Sequence, residues 1–130
     1  MAFPTSPECI AAAEAALQSR LPLAWRERLI RTNGGELVLG DEDWQVFPVQ
    51  DAVDRKRVGR TASHLVRETV AAREWRGFPA KGVAIAENGF GDYLVLLPDP
   101  SAIGTLADEV YRWDHETADL VAIGTCQDIG

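Results

Sequence analysis

At 130 residues, 46% of them hydrophobic and 25% charged, the chain has the size and composition of one globular domain, which argues against a disordered protein. No apolar run approaches the ~20 residues that span a bilayer, and the N-terminal MAFPTSPE lacks the features of a secretory signal, so we expect a cytoplasmic protein. The formal net charge is −7, and an acidic domain with one arginine-rich segment, here at residues 55–76, is a poor nucleic-acid binder.

Two helices open the predicted fold. Ser6-Pro7-Glu8 supplies a capping side chain, a proline at the first helical position and an acid in the first turn. Apolar residues then recur at spacings of three and four, which indicates a stripe facing a core: Ile10, Ala13, Leu17 and Leu21. Leu21-Pro22 ends this helix and starts a second one, with Trp25 and Leu29 on its inner face. Asn33-Gly34-Gly35 ends the second helix, because glycine adopts the left-handed conformation without steric cost.

Six short strands and a third helix follow. The strand pattern occurs at residues 36–39, 44–47, 83–86, 93–97, 110–113 and 120–123, each bounded by turn residues. Gly40-Asp41-Glu42-Asp43 is expected to form an acidic turn, and residues 60–75 have a helical period. Residues 93–97 are apolar on both faces, which indicates a central strand covered on both sides. The prediction is a single α+β domain over residues 1–130, with two N-terminal helices packed on a mostly antiparallel mixed sheet and a third helix inserted between strands.

The stretch Asn88-Gly89-Phe90-Gly91-Asp92 contains a Gly-x-Gly that has two interpretations. A phosphate-binding P-loop requires a lysine after its last glycine, and a dinucleotide fingerprint requires a third glycine and a following helix. Here residue 94 is a leucine and a strand follows. Asn-Gly is a strong signal for a tight turn between two strands. The sequence therefore predicts a hairpin and no nucleotide cofactor.

Asp114-His115-Glu116 is a second cluster with the residue types of a chemical site. If this segment is extended, Asp114 and Glu116 share one face while His115 points to the other, so the three side chains cannot bind one metal ion. Asp114 and Thr117 instead suit a short turn between residues 113 and 120. A structural or partner-binding role is favoured over a metal or acid–base role.

The remaining histidine and the two cysteines give no chemical motif. His64 has no GxSxG serine or catalytic cysteine to serve. Cys9 and Cys126 lack a CxxC partner, and two reduced thiols are favoured over a bridge between the neighbouring chain ends. No catalytic residue, metal or cofactor is predicted.

Three motifs follow one another along the chain. The first is an acid followed by Leu-Pro, an aromatic, an aliphatic and Asn-Gly-Gly: Glu14, Leu17, Leu21-Pro22, Trp25, Leu29 and Asn33-Gly34-Gly35. In the second, Gly91-Asp92 leads into the central strand, and the third is the strand that ends in Trp113-Asp114-His115-Glu116. Together they cover about residues 8–128, nearly the whole chain. In this order they resemble the signatures of the SUKH superfamily.

The resemblance implies an α+β fold without a cofactor, in a superfamily dominated by bacterial immunity proteins. These proteins bind and neutralise a cognate toxin, often a nuclease, and the superfamily also includes the Smi/Knr regulator of fungal cell-wall synthesis. Members tend to have a Ser-Phe pair that opens a final helix, whereas residues 124–130 here read GTCQDIG, with Cys126 in place of the phenylalanine. A C-terminal helix is therefore expected to be short or absent.

We expect a non-enzymatic binding protein, an immunity factor that occludes the active site of a basic toxin. Residues 87–130 hold nine acids against one base, Arg112, and a carboxylate-rich surface complements the positive charge of a nuclease active site. The candidate partner-binding residues are the three acids of the expected turn and three acids at strand ends: Asp41, Glu42, Asp43, Asp92, Asp114 and Glu116.

Two alternatives stay open. The first is a regulatory or scaffold module of the same fold without a toxin partner, which would lack a toxin gene beside its own. The second is an enzyme that uses Asp114, His115 and Glu116 with a metal, whose activity would be lost on His115→Ala. Neither nucleic acid nor a membrane is expected as a partner. The sequence leaves open the identity of the toxin, the face that binds it and the oligomeric state.

Overall fold

The computed structural model describes residues 3–52 and 54–129. Within them, two N-terminal helices precede a six-stranded sheet, which confirms the predicted α+β class. The elements in chain order are α1 (Pro7–Leu17), α2 (Leu23–Arg31), β1 (Glu36–Leu39), β2 (Glu42–Val46), α3 (Arg55–Arg60), α4 (Leu65–Ala72), β3 (Val83–Glu87), β4 (Tyr93–Leu96), β5 (Glu109–Trp113) and β6 (Leu120–Thr125). No helix in this part of the chain has both the length and the apolar character needed to cross a membrane.

The sheet is an antiparallel meander. Its strands lie in the order β1-β2-β3-β4-β5-β6, and each pair of neighbours is antiparallel. It is therefore simpler than the mixed sheet that the sequence predicts, and one isolated parallel bridge joins Arg20 to Thr105 outside the strands. The sheet curls until its first and last strands meet, since a Cβ placed on Gly124 of β6 would lie 3.2 Å from Leu39 Cδ1 of β1.

The third helix predicted over residues 60–75 corresponds to α4, and a further short helix, α3, precedes it. Asp54 caps α3 by accepting a hydrogen bond from Arg57 N, and His64 caps α4 by accepting one from Arg67 N through Nδ1. Both helices lie between β2 and β3 in the chain. In α4, the Thr69 hydroxyl bonds to both Ala84 N and Ala84 O, at 3.1 and 3.3 Å. These bonds satisfy the backbone N–H and C=O of Ala84, which lies in β3 outside the two residues that pair with β2.

Residues of the first motif hold the N-terminal helices in place. The Glu14 carboxylate accepts a hydrogen bond from Leu21 N at 2.7 Å, which fixes the joint between α1 and α2. The Asn33 amide pairs with Val49 in both directions, accepting from N at 2.8 Å and donating to O at 2.9 Å. These bonds satisfy polar groups that would otherwise be costly to bury.

The core occupies both faces of the central strands. Leu94, Val95 and Leu96 of β4 are fully buried, which confirms the prediction of a central strand covered on both sides. Trp25, Trp44 and Trp113 are buried as well. Cys9 and Cys126 are free thiols, and burial raises the pKa of Cys126 to about 12. Residues 126–129 form turns.

Candidate functional site

Three hairpin turns meet at one end of the sheet. They join β1 to β2, β3 to β4 and β5 to β6, and the pairing of the strands sets their positions. The register pairs these residues of neighbouring strands near this end: Leu39 with Glu42, Gln45 with Glu87, Glu87 with Tyr93, Tyr93 with Trp113, and Trp113 with Leu120. We call residues 40–43, 87–92 and 112–119 the hairpin end. The connection from β4 to β5, residues 97–108, lies at the opposite end of the sheet.

The prediction of a hairpin at Asn88-Gly89-Phe90-Gly91-Asp92 is confirmed. The Asn88 side chain accepts hydrogen bonds from Phe90 N at 2.8 Å and from Asp92 N at 3.3 Å, so it holds the loop from inside. Gly89 and Gly91 have φ values of +82° and +100°, a region that other residues rarely adopt. At Gly91 a Cβ would also lie 3.0 Å from the His115 ring. The glycines serve the turn and the packing against it.

Asp92 is the centre of a polar network that joins the three turns. Its side chain is 8% exposed. Oδ1 accepts from His115 N at 3.1 Å and lies 2.7 Å from His115 Nδ1, which requires a proton on that nitrogen. Oδ2 accepts from Arg112 Nη2 at 2.7 Å and from Asn88 Nδ2 at 3.0 Å. Both oxygens of this carboxylate are therefore fully used inside the protein.

Arg112 binds acids from all three hairpins. Its Nε donates to Glu42 Oε1 at 3.0 Å, its Nη2 donates to Asp92, and its Nη1 lies 3.6 Å from Asp114 Oδ2. Asn88 links the same groups by donating to Glu42 Oε2 at 2.8 Å. A planar guanidinium suits this arrangement because it presents several N–H donors in fixed directions. The network fixes the three hairpins relative to one another.

The network keeps its members charged. Burial opposes ionisation of Asp92, but hydrogen bonds from His115 and Asn88 and the charge of Arg112 outweigh it, so the pKa of Asp92 is lowered. The bond to Asp92 raises the pKa of His115. The hydrogen bond between Arg112 and Glu42 lowers the pKa of the acid and raises that of the base. The group therefore behaves as an ion-pair network rather than as a set of poised catalytic groups.

The turn between β5 and β6 is built as predicted around Asp114 and Thr117. Asp114 Oδ1 accepts from Glu116 N at 2.8 Å and from Thr117 N at 3.4 Å, while Thr117 Oγ1 accepts from Asp119 N at 3.2 Å. Because β5 ends at Trp113, residues 114–116 are not extended. The condition under which Asp114 and His115 would point to opposite faces is therefore not met.

In the described part of the chain, Asp92, Asp114 and His115 are a group that could ligate a metal ion. Each offers one ligand atom, and these atoms lie within 4.8 Å of one another. Asp92 thus takes the place of Glu116 in the cluster considered from the sequence. However, Arg112 already places its guanidinium 2.7 Å from Asp92 Oδ2, and a divalent ion would have to displace it. The donor set fits ion pairing better than metal binding.

All six acids predicted to bind a partner lie at the hairpin end, in different environments. The expected four-residue acidic turn is shorter, because β2 begins at Glu42 and only Gly40 and Asp41, both with positive φ, form the turn. Three of the six acids are exposed, two are half-buried in ion pairs with Arg112, and one is buried. These are, respectively, Asp41, Asp43 and Glu116; Glu42 and Asp114; and Asp92.

The negative charge of the chain is concentrated at the hairpin end. Its three segments contain eight acids, one arginine and His115, whereas the whole chain has 20 acids and 13 bases. The hairpin end therefore carries −7 when His115 is neutral, and the twelve acids and twelve bases elsewhere cancel. A cleft of about 550 Å³ lies away from this end, beside Asn33, Asp51 and Arg60.

The sequence interpretation missed Arg112, Asn88 and His115 as partners of the predicted acids. A signal was present for Arg112, since one base among nine acids in residues 87–130 is expected to form ion pairs. The contacts of Asn88 and His115 depend on strand register. Sequence reasoning also passed over Phe90, which is 78% exposed in the loop between β3 and β4.

Comparison with known proteins supports the interpretation of the three motifs. The SMI1/KNR4 family (SUKH-1) model matches residues 4–125. No curated protein sequence matches the chain. The match extends over nearly the whole chain and includes all four helices, the sheet and the hairpin end. The chain therefore belongs to the SMI1/KNR4 family (SUKH-1).

Proposed function

We propose that this chain is a non-enzymatic bacterial immunity protein, which binds a cognate basic toxin, such as a nuclease, and occludes its active site. Membership of the SMI1/KNR4 family (SUKH-1) is consistent with binding to a protein partner. The main support for the proposal is the concentration of the net negative charge at the hairpin end. It favours a positively charged partner that binds at this end. We also propose that the protein acts in the cytoplasm.

The physical reason is electrostatic complementarity. A nuclease active site is positively charged because it holds phosphate groups, so a surface with clustered carboxylates can occupy the same field. Such a surface repels nucleic acid and anionic membranes, and we propose neither as a partner. The occluding role needs no cofactor or metal. It requires instead that the acids face outward, as Asp41, Asp43 and Glu116 do.

The test uses the purified product of the gene adjacent to the one that encodes this chain. In Asp41→Lys/Asp43→Lys, the net charge of the hairpin end is raised by four. We expect the association rate at low salt to fall by roughly tenfold or more, within the range of electrostatic steering, and to depend less on salt. Stopped-flow measurements over a range of ionic strength give both quantities. Glu42 is left unchanged because it binds Arg112 and Asn88.

Glu8→Lys/Glu27→Lys is the matched control. It changes the net charge equally at exposed positions of α1 and α2. Equal association rates for the two double variants would remove the turn from the interface. If the chain has no toxin gene beside its own and acts on an endogenous partner, the regulatory alternative replaces the immunity role.

A further inference from the structure

Phe90 is a large apolar side chain held out into solvent at the hairpin end. The residue is 78% exposed. Its neighbours along the chain are Gly89 and Gly91, so no adjacent side chain covers it. An exposed aromatic side chain lowers solubility. An aromatic side chain surrounded by acids is more typical of a protein interface than of a surface that contacts only water.

The loop presents Phe90 in a fixed conformation. Asn88 Oδ1 accepts from Phe90 N, and Asn88 N donates to Asp92 O at 3.3 Å. Asp92 is in turn bound to Arg112 and His115 of the neighbouring hairpin. Because the loop is already ordered, little conformational entropy is lost when a partner binds Phe90.

Other aromatic rings continue the surface beside this loop. The His115 ring packs against Gly91, and Trp75, which is 47% exposed, contacts the His115 ring with 6.3 Å between centroids. Trp75 also packs on buried Trp113 at 6.3 Å, which anchors it to the core. Glu116, an exposed acid, flanks the His115 ring, with its Oε1 3.9 Å from His115 Nε2.

We propose that Phe90 is the central contact of the partner interface and inserts into an apolar recess bordered by lysines or arginines on a basic protein. This inference rests on the proposed function and deepens it. Charge complementarity selects the occupant: Phe90 lies within the end that carries the net charge of the chain. A second copy docked through the same end would bring two such charged ends together, which like-charge repulsion opposes.

The experiment compares Phe90→Ala with Ile103→Ala, using the purified product of the adjacent gene. Ile103 is fully exposed in the connection at the opposite end of the sheet, so its truncation removes similar apolar area elsewhere. For Phe90→Ala we expect the dissociation rate to rise by about 30-fold or more, the effect of truncating an interface hot spot. The association rate and its salt dependence should change less than about threefold, because no charge is altered. Ile103→Ala should leave both rates unchanged.

The outcomes separate this inference from the proposed function. If Phe90→Ala binds like wild type while Asp41→Lys/Asp43→Lys associates slowly, the inference is overturned and the proposed function stands. If the wild-type chain does not bind the adjacent gene product, both the inference about Phe90 and the proposed function are contradicted. A photocrosslinking amino acid at position 90 provides an independent readout. The same amino acid at position 103 is the control. Crosslinks from position 90 to the partner support the proposal. Crosslinks only between copies of this chain, or only from position 103, contradict it.

Discussion

Replacing Asp92 with asparagine tests the network on which the hairpin end depends. Each side-chain oxygen of Asp92 accepts from two nitrogens: Oδ1 from the backbone N and ring Nδ1 of His115, and Oδ2 from Asn88 and Arg112. In either orientation, the NH₂ group of asparagine would face donors. His115 Nδ1 can lose its proton and accept, but the backbone N–H of His115 cannot. The substitution therefore costs hydrogen bonds even though it preserves shape.

The magnitude follows from the number of bonds lost. A hydrogen bond to a charged group contributes about 1.5–3 kcal/mol, and the lower end applies because the side chains of Arg112 and His115 are 31% and 29% exposed. In the orientation that turns the NH₂ group toward His115, the bond from His115 N is lost and the bond from Arg112 no longer has a charged acceptor. Together these changes lower the free energy of unfolding by about 2–3 kcal/mol. For a domain of this size, Tm should fall by about 10 °C. Urea unfolding gives the free energy directly, provided that the m-value is unchanged.

Asp119→Asn is the matched control for this prediction. Asp119 is exposed at the same end, so the control removes the same charge without removing a carboxylate that accepts these bonds. It should change the free energy of unfolding by less than about 0.5 kcal/mol. If Asp92→Asn and Asp119→Asn give the same stability, the network does not hold the hairpins and the reasoning is refuted.

Two further predictions concern residues that contact the network. The raised pKa of His115 means that its pairing with Asp92 stabilises the fold fully below the unfolded pKa of about 6.5 and is lost as pH rises through the folded value. The Tm difference between wild type and His115→Gln should thus be larger at pH 5–6 than at pH 8–9, and a difference that does not vary with pH would contradict this. Gly91→Ala should lower the free energy of unfolding by about 2 kcal/mol, because alanine disfavours positive φ and its Cβ would meet the His115 ring. Gly59→Ala, in α3 with open space around it, should be neutral or stabilising in the same urea assay, and equal losses for the two variants would exclude a conformational cause.

Local signals were sufficient to predict most elements. Ser6 caps α1 as expected, accepting from Cys9 N at 3.3 Å. The Asn88-Gly89 pair predicts the turn between β3 and β4, because its conformational preference does not depend on distant residues. The predicted strands differ from the observed ones by no more than two residues at either end. Each of these features depends on residues close in sequence.

The insertion between β2 and β3 was predicted less well because its features are polar. Residues 55–60 read RKRVGR and have no apolar stripe, so periodicity does not detect α3. The end of α3 is fixed by Thr61, whose hydroxyl donates to Arg57 O at 2.8 Å and accepts from Asp51 N at 3.0 Å. These bonds depend on a side chain meeting a distant backbone, which the hydrophobic pattern does not encode.

The network could not be predicted because it depends on register across the sheet. Glu42 and Arg112 are 70 residues apart in the chain, and Asp92 and His115 are 23 apart. A shift of one residue in any strand pair would turn these side chains to the other face. The sequence therefore indicated which acids lie near turns. It did not indicate which of these acids form ion pairs and hydrogen bonds within the protein.

This division between bound and exposed acids has a consequence for recognition. Arg112 forms ion pairs with three of the eight acids of the hairpin end, Glu42, Asp92 and Asp114, so its charge offsets part of theirs. The outward field therefore comes mainly from the four exposed acids, Asp41, Asp43, Glu116 and Asp119, because Glu87 is half-buried and burial raises its pKa. Exposed acids can change without loss of these ion pairs, so partner choice can vary while the framework of three hairpins stays intact. Asp92→Asn should then lower stability, and Asp41→Lys/Asp43→Lys should slow association without lowering stability to the same extent.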